Sequence, residues 1–157
     1  MLERTLAAEV PVAWVTGDEV YGISASLRAW LETHRLSFVL AVRCTETLQP
    51  LTGPPTPAKL LAARVPPERW LRGNAGDGAK GRRWYAWTRV ALAADGAPDG
   101  WGRWLLVRRN LRSGELAFYV CAGPAGLPLI ALVKVAGTRW RVEMCQPQCT
   151  HIGGLAA

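Results

Sequence analysis

Residues 11–42, PVAWVTGDEVYGISASLRAWLETHRLSFVLAV, decide the fold of this chain. Two short apolar runs, 11–16 and 37–42, are typical of buried β-strands. Between them, Ser24 is a good helix N-cap, and apolar residues then repeat at helical spacing as far as His34. A strand, a helix and a strand with short connections predict a βαβ unit, in which the two strands are adjacent and parallel.

The composition changes after this unit. Residues 45–81 are rich in proline and glycine, with a short helix predicted at 57–64. Three strand-like runs follow, with turn signals between them, and they predict an antiparallel meander; they are 83–93, 101–109 and 115–121. We interpret the meander as a β-rich insertion that does not continue the parallel sheet. A final helix is predicted over 128–145, because apolar residues recur there at helical spacing.

The overall charge is basic. Nineteen lysines and arginines against 12 acidic residues give a formal charge of +7 over 157 residues, so an anionic partner is plausible. Nearly all of the positive charge is arginine, which suits bidentate phosphate contacts. Arginine, alanine, glycine and proline are also what a GC-rich genome encodes, so the charge permits a nucleic-acid partner without establishing one. No run is apolar enough to span a membrane and no signal peptide is visible, so we expect a cytoplasmic protein.

Four cysteines lie at positions 44, 121, 145 and 149. Cys44 and Cys121 end apolar strand-like runs, which predicts buried free thiols. The spacing Cys145-x3-Cys149-x-His151 offers three candidate zinc ligands where a structural zinc site needs four. Coincidence is therefore favoured over a zinc site.

Two carboxylates occupy positions of chemical interest. Asp18, with Glu19 beside it, comes just after the first predicted strand, at the edge where open α/β sheets bind ligands, although solvated loop acids are the simpler interpretation. Glu143 continues the apolar stripe of the last helix, where a carboxylate needs either a metal or a salt bridge, and Arg139 one turn earlier can supply the salt bridge. Both interpretations of Glu143 stand. An acid at a strand end and an acid on a helix facing the same edge are what a divalent-metal phosphoryl-transfer site requires.

Several segments resemble, in the same order, the catalytic domain of bacterial insertion-sequence DDE transposases. Residues 14–22, WVTGDEVYG, are similar to the segment with that family's second catalytic aspartate. Residues 76–81 and 104–109, GDGAKG and WLLVRR, resemble its β-insertion. Residues 137–143, GTRWRVE, resemble its catalytic-glutamate helix, which carries the signature Tyr-x2-Arg-x3-Glu-x6-Lys. The resemblance spans nearly the whole of 1–145 and identifies the chain as the C-terminal part of such a protein.

The resemblance implies an α/β chain with a partial RNase H-like fold, in which parallel strands and flanking helices carry an antiparallel β-rich insertion. Residues 1–44 would be the second half of the core, 45–122 the insertion, 123–145 the glutamate helix and 146–157 a divergent tail. The family binds Mg²⁺ or Mn²⁺ and cuts and joins DNA at transposon ends. DNA is therefore the implied partner.

The resemblance also implies roles for individual residues. Asp18 and Glu143 correspond to the second and third catalytic carboxylates, and so to metal ligands. Trp84 and Trp87 would be placed to stack on an unpaired base, although for both of them a place in the sheet core is favoured. The implied DNA contacts are Lys80, Arg82, Arg83, Arg108, Arg109 and Arg139.

The chain also departs from the family pattern. The signature tyrosine and lysine positions are Ala136 and Thr150, the resemblance ends at Gln146, and nothing corresponds to the first catalytic aspartate. We therefore expect a transposase fragment that binds DNA but does not cut it. The alternatives are a noncatalytic DNA-binding remnant and a generic RNase H-like nuclease. The basic β-insertion favours a transposase over the nuclease.

Overall fold

A computed structural model describes the backbone of residues 14–78 and 81–145, and the side chains of 14–73 and 84–137. The strands are β1 (Trp14–Gly17), β2 (Ser37–Val42), β3 (Thr47–Leu48), β4 (Thr56–Pro57), β5 (Leu71–Gly78), β6 (Gly81–Leu92), β7 (Trp101–Asn110) and β8 (Leu116–Pro124). The helices are α1 (Glu19–Gly22), α2 (Ala25–Thr33), α3 (Ala58–Ala63) and α4 (Leu129–Cys145), and a 3-10 turn covers Pro67–Arg69.

One mixed sheet organises the chain, with strand order β1-β2-β8-β7-β6-β5. β1 and β2 are parallel, with Trp14 opposite Ser37 and Gly17 opposite Leu40. The connection between them contains α2, which begins after Ser24, whose hydroxyl accepts a hydrogen bond from the Leu27 N–H at 3.2 Å. The predicted parallel βαβ unit and the α/β class are confirmed. The remaining strand pairs of the sheet are antiparallel.

The antiparallel meander β6-β7-β8 was predicted correctly, but its separation from the parallel sheet was wrong. β8 pairs antiparallel with β2, from Phe38 opposite Ala122 to Val42 opposite Phe118. A buried strand has two edges with backbone groups to satisfy, and β8 fills the edge of β2 that β1 leaves open. The sheet continues to β5, a strand that lies within the region assigned to proline- and glycine-rich connections.

The two faces of the sheet are covered by different helices. On one face, here called the α2 face, α2 and α3 contribute Leu31 and Leu61 to an apolar cluster with Phe38, Leu40 and Leu105. On the opposite face, the α4 face, a second cluster packs against α4; it contains Leu132, Val133, Ala136, Val39, Trp87 and Leu106. The apolar stripe predicted for the last helix is thus confirmed at the described positions, and the sheet lies between two helical layers.

A buried ion pair joins the βαβ unit to the meander. Glu32 of α2 is only 4% exposed and accepts two hydrogen bonds from the Arg103 guanidinium of β7, Nε to Oε2 at 2.7 Å and Nη2 to Oε1 at 2.6 Å. This hydrogen bonding raises the pKa of Arg103. Arg28, one turn before Glu32 on α2, has its pKa lowered by burial, against the opposing effect of Glu46, which lies 3.9 Å away.

The short helix α1 is held against β2 by a close backbone approach. A Cβ atom on Gly22 would lie 1.8 Å from the Ala41 carbonyl oxygen, so only glycine fits at this position. The Gly22 carbonyl in turn accepts a hydrogen bond from Arg28 of α2. These contacts fix the segment between β1 and α2, which contains Asp18.

Candidate functional site

Asp18 lies directly after the carboxyl end of β1. Its backbone is extended, with φ −84° and ψ −172°, and its side-chain oxygen caps α1 by accepting a hydrogen bond from the Val20 N–H at 3.0 Å. Side chains alternate between the faces of a strand, and Val15 belongs to the α2-face cluster while Trp14 packs on the α4 face. Continued alternation assigns Asp18 to the α4 face.

A groove of about 780 Å³ lies at this edge of the sheet. Its walls come from the residues that follow β1 and β2 and from the β7-β8 hairpin: Asp18, Glu19, Val20, Ala41, Val42, Arg43, Cys44, Thr45, Arg108, Glu115, Leu116, Ala117, Phe118 and Tyr119. Because β1 and β2 are parallel, the chain leaves both strands at the same edge, and this is why Asp18 and Arg43 line one groove.

Both acidic and basic side chains line the groove. Glu19 and Arg43 form an exposed ion pair, Oε2 to Nε at 3.6 Å, of the kind that contributes little to stability. The guanidinium of Arg108 lies 4.6 Å from the centre of the Tyr85 ring, a cation–π contact that orients it on the α4 face. The groove therefore holds one oriented arginine, a second arginine exposed at its rim, and the carboxylate of Asp18.

Of the predicted DNA contacts, Arg108 and Arg109 are the two whose side chains the structure describes, and they lie on different faces of the sheet. Arg108 and Arg109 are neighbours on β7 and point to opposite faces, since Arg108 lies over Tyr85 and Arg109 lies over Trp70 on the α2 face, 4.0 Å from the ring centre. One surface therefore cannot hold both Arg108 and Arg109, and DNA contact by either of them stays a prediction. Lys80 lies outside the described residues, and so do the side chains of Arg82, Arg83 and Arg139.

Of the two predicted catalytic carboxylates, the side chain of Asp18 belongs to the described residues and that of Glu143 does not. The backbone of Glu143 belongs to α4, as predicted, while its side chain lies outside the described residues. α4 packs on the face of the sheet to which strand alternation would direct Asp18, which is compatible with the predicted pairing of Asp18 with Glu143. Their approach to a shared metal stays a prediction.

The described carboxylates do not by themselves form a metal site. Among residues whose side chains are described, no three histidine, cysteine, aspartate or glutamate side chains group closely enough to hold an ion. In the groove, Asp18 already accepts a backbone hydrogen bond and Glu19 is paired with Arg43. Mg²⁺ prefers near-octahedral oxygen coordination with one or more carboxylates, and the described residues alone do not supply a group of this kind. The zinc-like residues Cys149 and His151 lie outside the described part of the chain.

The two tryptophans and the two cysteines that were expected to be buried differ in their exposure. Trp87 is 1% exposed and belongs to the core, as favoured. Trp84 points to the opposite face of β6 and is 46% exposed, so the core position favoured for it is wrong. Cys121 is buried, which raises the pKa of its thiol. Cys44 is exposed, contrary to prediction, because β2 ends two residues before it and its side chain turns to the groove.

Arg43, Tyr85 and Glu115 line or support the groove but were not singled out from the sequence. Of these three residues, Arg43 alone carried a signal in the sequence, since it follows the second parallel strand as Asp18 follows the first.

None of the helices in the described part of the chain is long and apolar enough to cross a membrane. No protein-family model matches this chain, and no curated protein sequence matches it.

Proposed function

We propose that this chain is part of a DDE-type transposase catalytic domain, and that it binds DNA through the groove at the carboxyl edge of β1 and β2 without cutting DNA by itself. The observation that carries the proposal is the position of Asp18. It follows the first strand of a parallel βαβ unit and lines a groove that also contains Arg43 and Arg108.

The arginines supply the DNA contact. A guanidinium binds phosphate oxygens through two parallel N–H groups, and stacking on an aromatic ring keeps this fork oriented. Arg108 has such an orientation over Tyr85, and Arg43 stands exposed at the rim. The net charge of +7 adds a general attraction to DNA that weakens as salt is added.

The carboxylates explain why cutting is not expected. Two-metal phosphoryl transfer needs enough anionic oxygens to hold two cations about 4 Å apart against their mutual repulsion. The resemblance provides two of the three carboxylates, Asp18 and Glu143. Of these, Asp18 already caps α1. Glu19 is a poor substitute for the missing acid, because its carboxylate lies 3.6 Å from Arg43 and the side chain would have to turn to join Asp18.

The activity is tested with the purified chain and supercoiled plasmid in Mg²⁺ or Mn²⁺. The plasmid is expected to remain supercoiled. Cutting that disappears in Asp18→Ala would overturn the proposed lack of activity, and it would favour the generic nuclease or an active transposase domain.

DNA binding is tested by gel shift with a duplex at about 50 and about 200 mM salt. Arg108→Ala is expected to weaken binding and to lower the slope of log affinity against log salt by about 1. Arg64→Ala is the matched control, because it removes one exposed arginine at the end of α3, away from the groove. No shift at low salt, or equal losses from the two variants, would refute the groove as the DNA site.

A second candidate function is that of a noncatalytic DNA-binding remnant. The groove arginines Arg43 and Arg108 favour it, since binding through them needs no metal. The two candidates differ in the role of Asp18. Asp18→Asn is expected to leave duplex affinity unchanged in the presence of Mg²⁺ if Asp18 only caps α1, and to change it if Asp18 holds a cation beside the DNA.

A further inference from the structure

A cleft of about 270 Å³ opens on the α2 face of the sheet, between α2, β3 and the end of β6. Its mouth is lined by Ala25 and Ala29, two exposed alanines about one turn apart on α2, and larger side chains there would close the opening. The floor is apolar and comes from buried side chains of four strands: Phe38, Leu48, Leu92 and Val120. The described linings of this cleft and of the groove at Asp18 have no residue in common.

Three charged side chains line the cleft: Arg28, Glu32 and Arg103. Glu32 uses both of its carboxylate oxygens on the Arg103 guanidinium, so a ligand cation would have to compete with Arg103 for them. Arg28 has fewer partners. Among the described residues its guanidinium donates a hydrogen bond to the Gly22 carbonyl alone, and the Glu46 carboxylate lies 3.9 Å away, beyond hydrogen-bonding distance. The cleft therefore offers hydrogen-bond donors to an anion.

The positive charge of Arg28 is only partly offset by its surroundings. Burial lowers the pKa of Arg28 and the neighbouring Arg103 lowers it further, against the opposing effects of Glu46 and Glu32. Arginine nevertheless keeps its proton in proteins, so the side chain remains a cation with several N–H donors. A half-buried cation of this kind is stabilised by an anion that accepts its remaining N–H groups.

We propose that this cleft binds a small organic carboxylate with one negative charge and an apolar end. The carboxylate accepts hydrogen bonds from the planar Arg28 guanidinium, and the apolar end lies on Phe38 and Val120. One negative charge is favoured over two, because Glu32 and Glu46 stand near Arg28 and repel a dianion. The cleft is smaller than the roughly 300–1,000 Å³ of pockets that enclose drug-sized ligands, so the ligand has to be small.

The cleft lies where the βαβ unit meets the meander. α2 and β2 form one side of it, and β6, β7 and β8 form the other. A ligand in the cleft contacts both parts of the chain beside the ion pair of Glu32 with Arg103. Binding to the folded chain therefore adds to its stability by mass action. The inference goes beyond the proposed function and does not rest on DNA binding.

The test is isothermal titration calorimetry of the full chain with benzoate, which carries one carboxylate on an apolar ring. We expect a Kd of about 1 mM, which is within reach of a ligand of this size. Benzamide has nearly the same shape without the charge, and its Kd is expected to be at least roughly tenfold higher. Equal Kd values for benzoate and benzamide would overturn the proposal, and so would tighter binding of inorganic phosphate than of benzoate.

Thermal unfolding supplies a second measurement of the same binding. Sodium benzoate at about 20 mM should raise the midpoint of thermal unfolding by roughly 4–7 °C, relative to sodium chloride at the same concentration. An unchanged midpoint would overturn the proposal.

A substitution at the mouth of the cleft tests its location without removing any charge. Ala25→Leu places a larger side chain in the opening, at an exposed helical position where leucine is well tolerated. It is expected to raise the Kd for benzoate at least roughly tenfold. Ala63→Leu is the matched control, because it makes the same change at an exposed alanine of α3 that does not line the cleft. Equal benzoate affinities of the two variants would overturn the proposal.

Substitutions of Arg28 test its role as the anion-binding group. Arg28→Lys keeps the charge but loses the planar fork, and it is expected to weaken benzoate binding roughly tenfold, while Arg28→Met abolishes it. Because Arg28 also bonds the Gly22 carbonyl, the free energy of unfolding is measured for both variants. Native benzoate affinity in a folded Arg28→Met variant would overturn the proposal, and Ala25→Leu still decides the question if Arg28→Met does not fold.

The cleft and the groove are distinguished by their variants. Arg108→Ala is expected to bind benzoate as the native chain does, and Ala25→Leu is expected to leave the duplex gel shift unchanged. Loss of benzoate binding in a folded Arg108→Ala variant would overturn the assignment of benzoate to the cleft. Benzoate binding without any duplex shift would refute the groove as the DNA site and support the cleft.

Discussion

Removal of Arg103 is expected to be among the most destabilising single changes outside the apolar core. Arg103→Met keeps an unbranched apolar stem but removes the guanidinium, and it leaves Glu32, which is 4% exposed, without its two hydrogen bonds. Breaking one half of a buried ion pair costs about 3–5 kcal/mol, because the remaining charge is stranded away from water.

The structure favours the lower end of this range. The Arg103 side chain is 27% exposed, so water reaches part of the pair, and Arg28 lies close enough to offer Glu32 some electrostatic compensation. We therefore expect a loss of about 3 kcal/mol from the free energy of unfolding. For a chain of this size the midpoint of thermal unfolding should fall by roughly 6–12 °C.

The assay is urea unfolding of the native chain, Arg103→Met, Glu32→Leu and the double variant, followed by far-UV circular dichroism and tryptophan fluorescence. The double variant is expected to recover most of the stability, since two apolar side chains of similar volume can replace a buried pair at little cost. The coupling free energy from the cycle measures the interaction itself.

Two results would refute this reasoning. A loss below about 1 kcal/mol in Arg103→Met would show that the pair behaves like an exposed one. The second result would be unfolding of Arg103→Met in two separate transitions, while the native chain and the double variant each unfold in one. That result would show that the ion pair couples the unfolding of α2 to that of the meander. A uniform loss with one transition is the expected outcome.

Three further predictions concern α1 and the cysteines. Gly22→Ala should lower the free energy of unfolding by about 2–3 kcal/mol in urea titrations, because the new methyl group meets the Ala41 carbonyl; an unchanged midpoint would contradict the close approach. Iodoacetamide should label Cys44 in the native chain and Cys121 only after denaturation, as read by peptide mass spectrometry. Burial raises the pKa of Cys121 in the folded chain, so above the unfolded thiol pKa of about 8.5 only the unfolded chain loses this proton and stability falls as pH rises. Cys121→Ala should remove the contribution of this thiol, up to about 1.4 kcal/mol per pH unit, to the fall in the free energy of unfolding at alkaline pH. Identical slopes of the free energy of unfolding against pH in the two proteins would contradict this expectation.

The βαβ unit was predictable because the sequence patterns that specify its strands and helix each lie within a few neighbouring residues. The runs at 11–16 and 37–42 are apolar except for Thr16 and Ser37, which is typical of buried strands. The helix between them shows a clear amphipathic period with a capping serine. Helix α4 was equally clear and begins at Leu129, directly after Pro128. In each case residues near in sequence decide the structure.

The pairing of β2 with β8 was not predictable in the same way. These strands lie more than seventy residues apart in the chain, and hydrophobic periodicity identifies a buried strand without identifying its neighbour. The same limit applies to the Glu32–Arg103 pair, which joins residues 71 positions apart. The end of a strand is a local signal, and it singled out Asp18 and Glu19, which line the groove. Arg108 was expected to contact DNA, but its place beside Asp18 was not predictable, and Glu115 was not singled out, because both residues reach the groove through the meander.

Strand alternation determines how the basic residues of the meander act. Arg108 and Arg109 differ by one position and Trp84 and Trp87 by three, so in both pairs the two side chains point to opposite faces. Tyr85 and Trp87 are on the α4 face, where Arg108 reaches the groove, while Trp84 and Arg109 are on the α2 face beside Arg72. A run of arginines that looks like one patch in the sequence thus becomes two surfaces separated by the thickness of a sheet. Mutations that neutralise neighbouring arginines together would affect both surfaces, and only single substitutions can assign a nucleic-acid contact to one face.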